Sequence, residues 1–431
     1  MTNLKQKLFV GIALSATTML VAGGSFATEG YFTHGAGARN KAMGGAGVAD
    51  GRDATALIVN PAGMVGNGTE LDVSISLFKP TRQFTGTGGP GFTTNNVNKS
   101  SENLFGIPNI AYVKAIDDTS SWGVSIAANG GMNTNYRDVS NPACVSPPLP
   151  APNGVFCGGT TGINLVQALV SVGYAKQMGN FKIGIAPIFG FQQFEATGLF
   201  AFGKVSSNPD ALSNNGSDTS TGFGGKIGIE FSPIDRIRIG GTYQSKISMS
   251  EFDKYAGLFA DAGDFDIPSN YQVGISADIM HNLTVSADYK HIKYSDTPAV
   301  SNSSRVQLPF GAPGAAGFGW DDIDIYKIGV EYLANDKWTL RAGYAHNDQP
   351  VSGDDITLNI LAPGVVTDHF TGGGAIKIND RNTLEFGIMY APNEAVSGIE
   401  VTSQGPNPTH IITAEMKQFE VTVGWKLKFG N

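Results

Sequence analysis

The sequence predicts an all-β protein, a transmembrane antiparallel β-barrel of about fourteen strands with an N-terminal hatch (plug) in its lumen. Three observations predict this fold: an export signal at the chain start, short polar turns between alternating segments, and long polar stretches between the segment pairs. We expect a signal peptide at residues 1–27, the hatch at residues 28–66 and the barrel at residues 67–431.

The start of the chain has the three regions of a secretory signal peptide. Lys5 and Lys7 precede the apolar run 8–22, and the segment 25–27 (Ser-Phe-Ala) has small residues where a signal peptidase cleaves. We therefore expect cleavage after Ala27. An uncleaved membrane helix is the alternative, but it would need about 20 apolar residues.

Residues 28–66 lack the strand periodicity of the rest of the chain. They are rich in Gly and Ala, which let a backbone pack closely against a wall. Asp53 can cap a short helix, and Pro61 ends it because the residue before a proline avoids helical geometry. We predict that this segment fills the barrel lumen. A flexible periplasmic extension is the alternative.

Short polar turns recur along the remaining chain, each flanked by about ten residues of apolar and polar alternation, the length of a tilted membrane strand. The turns lie at 117–119, 177–180, 233–235, 281–282, 335–336 and 379–382. Long loops are expected near 80–104, 133–163, 196–220, 247–268, 295–320, 347–369 and 392–414. With both chain ends on the side of the short turns, this arrangement requires about fourteen strands, an even number as in bacterial barrels.

The last segment shows the alternation most clearly. One face carries Phe419, Val421, Val423, Trp425, Leu427 and Phe429, and the other carries Glu420, Thr422, Gly424, Lys426 and Lys428. A period of two places successive side chains on opposite faces of a sheet. A soluble β-sandwich would show the same pattern. The even spacing of turns and loops, and aromatic residues near segment ends, favour the barrel.

The N-terminal residues resemble a known family. Segment 42–49 (Ala-Met-Gly-Gly-Ala-Gly-Val-Ala) and the hatch motif Asn60-Pro61-Ala62, at its distance before the first strand, are similar to the OmpP1/FadL/TodX family of outer-membrane transporters for hydrophobic compounds. The resemblance covers the chain after the signal peptide. It implies a barrel closed by the hatch and hydrophobic pockets in the lumen. It also implies that substrate leaves sideways, at an inward kink in the third strand.

The third strand contains a candidate for that kink. Alternation from Ser121 to Ala128 is interrupted by Asn129-Gly130-Gly131, and paired glycines permit a bulge or a sharp bend. Such a bend breaks ladder hydrogen bonds and can open a lateral gap in a barrel wall. The alternative is that the two glycines merely begin the second long loop.

Two loop segments are too apolar for freely solvated loops. Their candidate ligand-binding residues are Leu199, Phe200, Phe202, Leu258 and Phe259. Exposed apolar patches of this kind tend to be binding surfaces. Alternatively, the two segments pack on each other as an extracellular cap.

The two cysteines, Cys144 and Cys157, lie in the second predicted loop. An exported protein meets an oxidising compartment, so we expect a disulfide that closes a small loop. The link should contribute about 2–4 kcal/mol, mostly to local loop order.

Charge and motifs argue against several function classes. The net charge of −8 disfavours a nucleic-acid partner. The chain has no His-Glu-x-x-His, no Gly-x-Ser-x-Gly and no Cys/His metal spacing, so we expect no catalytic residue, metal or cofactor. A barrel-type protease or lipase would need a Ser/His or Asp/His constellation, and the six histidines are scattered.

The resemblance therefore predicts a transporter of hydrophobic small molecules, either long-chain fatty acids or aromatic hydrocarbons. We expect a monomer in contact with the lipid of a Gram-negative outer membrane. The alternative is a diffusion porin, or a surface adhesin or receptor that uses the long loops. A porin lines its lumen with charge and has no N-terminal plug, so the hatch and a charged fraction of 15% favour the transporter.

Overall fold

The computed structural model describes residues 28–145 and 153–430, so the predicted signal peptide lies outside the described residues. Within this part of the chain, fourteen long strands form one sheet. They are β1 (Thr69–Gly88), β2 (Phe105–Asp117), β3 (Ser120–Tyr136), β4 (Thr161–Met178), β5 (Phe181–Thr197), β6 (Asp218–Ile234), β7 (Ile237–Gln244), β8 (Asn270–Met280), β9 (Leu283–Ile292), β10 (Ile323–Leu333), β11 (Trp338–Asn347), β12 (Asp368–Lys377), β13 (Asn382–Thr402) and β14 (Gly405–Phe429). Two short strands, Val97–Lys99 and Ser248–Met249, pair with β1 and β6.

The sheet closes on itself. Each long strand pairs antiparallel with the next one along the chain, and β14 pairs with β1 from Thr69↔Phe429 to Gly88↔His410. A closed barrel leaves no unpaired edge, which is what a hydrocarbon environment demands of a sheet. The predicted antiparallel barrel of fourteen strands is confirmed, and all six short turns join the predicted strands.

Short helical segments precede β1 or lie in loops. The α-helical ones are Gly37–Ala42, Ala56–Val59, Ala260–Gly263, Pro298–Ser301 and Ile356–Asn359, and the 3₁₀ turns are Pro61–Met64, Pro142–Val145, Phe200–Val205, Pro209–Ala211, Asp253–Tyr255, Tyr294–Asp296 and Gly353–Asp355. Among residues 28–145 and 153–430, no helix has the length and apolar character needed to cross a membrane.

The alternation separates two faces of the wall. In β14, Val423 and Trp425 are 54% and 42% exposed on the outside, whereas Glu420 and Thr422 are buried in the interior. Large apolar side chains on the outer face recur in most strands, as a lipid-facing surface requires. The buried polar side chains of the strands can act as hydrogen-bond partners for other groups in the interior.

The seventh predicted loop, 392–414, is wrong. Residues 394–402 of β13 pair with 405–416 of β14 and the two strands turn within residues 403–404. The polar character of this stretch signalled a loop, but a hairpin that extends beyond the membrane can be polar on both faces. For the same reason β1 continues to Gly88, well into the predicted loop 80–104.

Candidate functional site

Residues 28–66, which we call the N-terminal segment, contact strands around the ring. Residues 28–65 are buried or half-buried. Hydrogen bonds join the segment to strands around the ring: Ala54 to Glu70 of β1, Thr33 to Asn129 of β3, Asn60 to Ile229 of β6, Gly47 to Asp288 of β9, Arg39 to Glu331 of β10, Ala42 to Thr371 of β12 and Lys41 to Glu420 of β14. The segment is therefore hydrogen-bonded to at least seven of the fourteen long strands.

The Asn60-Pro61-Ala62 motif fastens the segment to β5 and β6. Asn60 has extended backbone geometry and ends the helix Ala56–Val59, and its side chain accepts a hydrogen bond from the N–H of Ala62 at 3.1 Å. Its amide nitrogen donates to the carbonyls of Val48 and Ile229. Asn60 thus satisfies backbone groups of both the segment and the wall.

Buried ion pairs hold the segment from several sides. Glu29 lies between Lys290 and Lys327, with oxygen–nitrogen distances of 2.6 and 2.5 Å. Burial opposes the charge of Glu29, but the two ammonium groups outweigh it and lower the pKa of this carboxyl to about 2. Lys41 pairs with Glu420 at 2.7 Å. Breaking such a pair strands a buried charge, which is costly.

The third strand is irregular at Asn129-Gly130-Gly131. The pairing of β3 with β4 shifts between Ala128 and Gly130, so Asn129 is an extra residue in a β-bulge. The N–H of Gly131 donates to the carbonyl of Tyr31, and a Cβ at Gly130 would overlap that same oxygen. The N-terminal segment therefore pairs with the bulge. The strand continues to Tyr136, so the alternative that these glycines begin a loop is wrong.

Beside the bulge, β2 and β3 separate. Their last ladder pair is Asn109↔Ala127. Beyond Ala127, the described part of β3 pairs with β4 and, at Gly130, with Phe32 of the N-terminal segment, but not with β2. Further out, the N–H of Ser101 donates to the carbonyl of Asn135 at 2.8 Å, which rejoins the two sides. We call the unpaired stretch between 102–108 and 128–134 the wall window.

Two apolar cavities lie among the loops. The outer cavity has a volume of about 290 Å³, and its apolar lining includes Phe92, Phe156, Phe202, Leu308, Phe310 and Leu358. The inner cavity, of about 30 Å³, is lined in part by Ile163, Phe194, Leu199, Leu258, Phe259 and Phe318. Phe202, Phe310 and Leu358 line both cavities, so the two adjoin.

The structure brings together four of the five predicted ligand-binding residues. Leu199, Phe202, Leu258 and Phe259 all line the inner cavity. Phe200 is 48% exposed and is not part of the lining of either cavity. Phe310 and Leu308 were missed, although the apolar run 308–310 carries the same signal as the two loop segments that were selected.

A disulfide joins Cys144 and Cys157, whose Cα atoms are 5.3 Å apart. Residues 146–152 between them lie outside the description. Next to the bridge, the carbonyl of Phe156 accepts a hydrogen bond from Ala201, and the Phe156 ring lies 5.0 Å from the Phe202 ring. The bridged loop therefore supports one wall of the outer cavity.

Sequence comparison finds relatives over most of the chain. Residues 13–421 match the profile of a family described as outer membrane protein transport protein (OMPP1/FadL/TodX). The long-chain fatty acid transport protein of Escherichia coli (strain K12) is 22% identical over 338 residues, which cover 67% of this chain and 71% of that protein. That of Salmonella typhi is 24% identical over 323 residues, which cover 67% and 70% of the two chains.

Solved structures have the same fold. The Pseudomonas putida toluene transporter TodX is 19% identical, with a TM-score of 0.67 over 93% of this chain and 100% of that chain. A Pseudomonas aeruginosa FadL homologue is 16% identical, with a TM-score of 0.68 over the same shares. At these identities the similarity establishes the barrel fold and no more.

Proposed function

Since the chain belongs to the outer membrane protein transport family (OMPP1/FadL/TodX), we propose that it carries hydrophobic small molecules into the outer membrane and releases them sideways through its wall. In this proposal the N-terminal segment acts as the hatch. Ligand binds first in the outer cavity and then in the inner cavity, and it leaves through the wall window. The protein acts as a monomer, and its mature form begins after residue 27.

The lining of the outer cavity and the names of the relatives support an apolar ligand. The relatives that match in sequence are named as long-chain fatty acid transport proteins, and TodX is titled a toluene transporter. The outer cavity has the aromatic lining and approximate size of a small-molecule pocket. Lys204 and Glu400 are the charged residues of its lining. Both a fatty acid and an aromatic hydrocarbon fit this chemistry.

The proposed sideways exit rests on one observation, the wall window. A straight path through the lumen would take an apolar molecule past the buried ion pairs of Glu29, Arg39 and Lys41, and separating those charges is costly. A route through the window instead ends in hydrocarbon. Each methylene group that stays out of water is worth about 0.8 kcal/mol.

Deletion of Asn129 tests this exit. Without the extra residue, Gly130 follows Ala128 directly and both pair with β4 in one continuous register. The strand β3 can then straighten, and every side chain stays on the face it already has. The substitution Asn129→Ala is the matched control. It keeps the bulge and loses only the hydrogen bond to Gln167.

Uptake of labelled long-chain fatty acid and of toluene would be measured in cells that lack their own family member. We expect the deletion to fold, to bind ligand and to lose most of its uptake, while Asn129→Ala retains it. Normal uptake by a folded deletion variant would contradict the sideways exit. Equal uptake with and without the intact protein would contradict transport itself, and selective passage of hydrophilic solutes would indicate a porin.

A further inference from the structure

Four carboxyl groups lie where the N-terminal segment contacts the start of β1. Asp53 belongs to the segment, Glu70 and Asp72 to β1, and Glu385 to β13. Asp53, Asp72 and Glu385 are each at most 2% exposed. Each of these three offers an oxygen, and the three oxygens all lie within 4.8 Å of one another. We call the four residues the acidic cluster.

The register of the barrel brings the two sides of the cluster together. Strand β14 lies between β1 and β13, and its Gly424 is opposite both Ser74 and Glu385. A Cβ at Gly424 would lie 3.4 Å from the Ser74 side chain and 3.6 Å from the Glu385 side chain. The glycine therefore leaves open the space across which groups of β1 and β13 approach each other.

Three oxygens of the acidic cluster have no hydrogen-bond partner within the described residues. They are Oε2 of Glu70, Oδ1 of Asp72 and Oε2 of Glu385, and all three are buried. The other oxygen of Glu70 accepts a hydrogen bond from the N–H of Ala54 at 2.9 Å. Buried carboxylate oxygens are nearly always satisfied. Asp72 and Glu385 are two of the three residues that offer oxygens within 4.8 Å of one another, so their unpartnered oxygens point to a missing partner.

Nearby cations do not supply that partner. Arg341 donates to Oε1 of Glu385 at 3.1 Å, and Lys426 lies 3.8 Å from the same oxygen. Both contacts therefore leave the orphaned oxygens untouched. Arg341 also pairs with Glu331 at 2.7 Å, so its charge is shared. Among the described residues, these two cations contact Glu385 but none of the other three carboxyl groups of the cluster.

We propose that the acidic cluster binds one divalent cation, Ca²⁺. Its donors are all oxygen atoms, which suits Ca²⁺ or Mg²⁺ and disfavours zinc or copper. Ca²⁺ accepts a set of several carboxylate oxygens from the protein, whereas Mg²⁺ keeps several of its waters and usually binds through one or two carboxylates. The ion accepts the oxygens that lack a partner and ties Asp53 of the N-terminal segment to β1 and β13.

Calcium titration of the full-length protein, purified in detergent and stripped with EDTA, tests the site. Isothermal calorimetry should find one Ca²⁺ per chain, and Mg²⁺ should bind more weakly. Asp72→Asn should weaken Ca²⁺ binding at least tenfold. The matched control is Asp288→Asn, which removes a buried carboxylate that accepts from Gly47 and Val48 but lies outside the cluster. It should leave Ca²⁺ binding unchanged.

Folding of each variant is checked by its heat-dependent migration in gels, and Glu385→Gln replaces Asp72→Asn if the latter does not fold. The proposal is overturned if the intact protein binds no Ca²⁺, if the cluster variants bind it normally, or if Asp288→Asn loses it equally. Mg²⁺ binding as tight as Ca²⁺ binding would overturn the choice of ion. None of these outcomes depends on transport, so the site is tested separately from the proposed function.

Discussion

Two glycines of the barrel wall determine how closely the Asn60-Pro61-Ala62 motif approaches it. A Cβ at Gly184 would overlap the backbone of Pro61 and Ala62, and a Cβ at Gly228 would overlap the side-chain oxygen of Asn60. Both glycines therefore serve close contact between the wall and the N-terminal segment. This close contact explains why a glycine stands at each of these two positions in the alternating pattern of β5 and β6.

We expect Gly228→Ala to destabilise the folded protein by about 1–3 kcal/mol, because the added methyl group overpacks the motif. Urea unfolding in detergent micelles, followed by tryptophan fluorescence, measures the change. Gly225→Ala, three residues earlier, is the control. Its Cβ would have its nearest contact at 3.9 Å, the carbonyl of Ala186, so a change below about 0.5 kcal/mol is expected. Equal losses in both variants would contradict this account.

Protonation should release the N-terminal segment in acid. Burial lowers the pKa of His34 from 6.5 to about 3, and the paired lysines hold the pKa of Glu29 at about 2 rather than 4.5 in spite of its burial. The detached segment therefore binds more protons than the docked one at intermediate pH. Docking is strongest above the ordinary pKa of each group and weakens as the pH falls toward its docked pKa.

The two groups act in different pH ranges. Docking should weaken from pH 6.5 downward because of His34, and more steeply between pH 4.5 and 2 because of Glu29. We expect Glu29→Gln to dock more weakly overall and to lose the steeper part, while the decline due to His34 remains. Hydrogen exchange of residues 28–66, corrected for its intrinsic pH dependence, measures docking. The same steep part in both proteins would refute the role given to Glu29.

At the scale of elements, aromatic side chains from different loops pack together and line the cavities. The ring centroid of Phe202, in the turn after β5, lies 5.0 Å from that of Phe156 and 5.3 Å from that of Phe310, which belong to the loops before β4 and β10. Three loops thus contribute to the lining of the outer cavity. The disulfide keeps Phe156 near this contact.

Phe202→Ala should weaken binding of a fluorescent fatty acid by about tenfold or more, since burying an aromatic side chain is worth about 1.5–3 kcal/mol. Phe200→Ala provides the matched control in the same turn. Phe200 is half exposed and outside the cavity lining, so its loss should change affinity by less than about threefold. Comparable losses in both variants would place the ligand elsewhere.

At the scale of the whole molecule, the N-terminal segment is no part of the strand ladder that closes the barrel. Every long strand pairs with two neighbours, so most backbone groups of the wall outside the wall window are paired within the wall. The segment adds ion pairs and small-residue contacts to the interior but no strand of the closed ring. The wall should therefore survive its removal.

Deleting residues 28–66, with the signal peptide retained, should yield a barrel that inserts in the membrane and conducts ions in a planar bilayer. The intact protein should conduct little, because the segment fills the lumen. The deletion variant must show the heat-dependent gel migration of a folded barrel. If the two proteins conduct equally, the segment does not close the lumen.

Much of the fold follows from local pattern. Alternation with a period of two, short turns and an even spacing are visible in the chain itself, and they predicted the strand number, the barrel and the interruption at Asn129. The extension of β13 and β14 into the predicted loop 392–414 was missed because strand pairing outside the membrane needs no apolar face. Local sequence cannot distinguish such a strand from a polar loop.

The sequence by itself determined the fold class, the family resemblance and four of the residues that line the inner cavity. Only the tertiary structure decided which groups face each other across the lumen. Asp53, Asp72 and Glu385 are far apart in the chain and follow no motif spacing, and the wall window exists only as an absence of pairing between β2 and β3. Barrel closure and register set such long-range relations, because each residue's neighbours across the ring depend on how every intervening strand is paired.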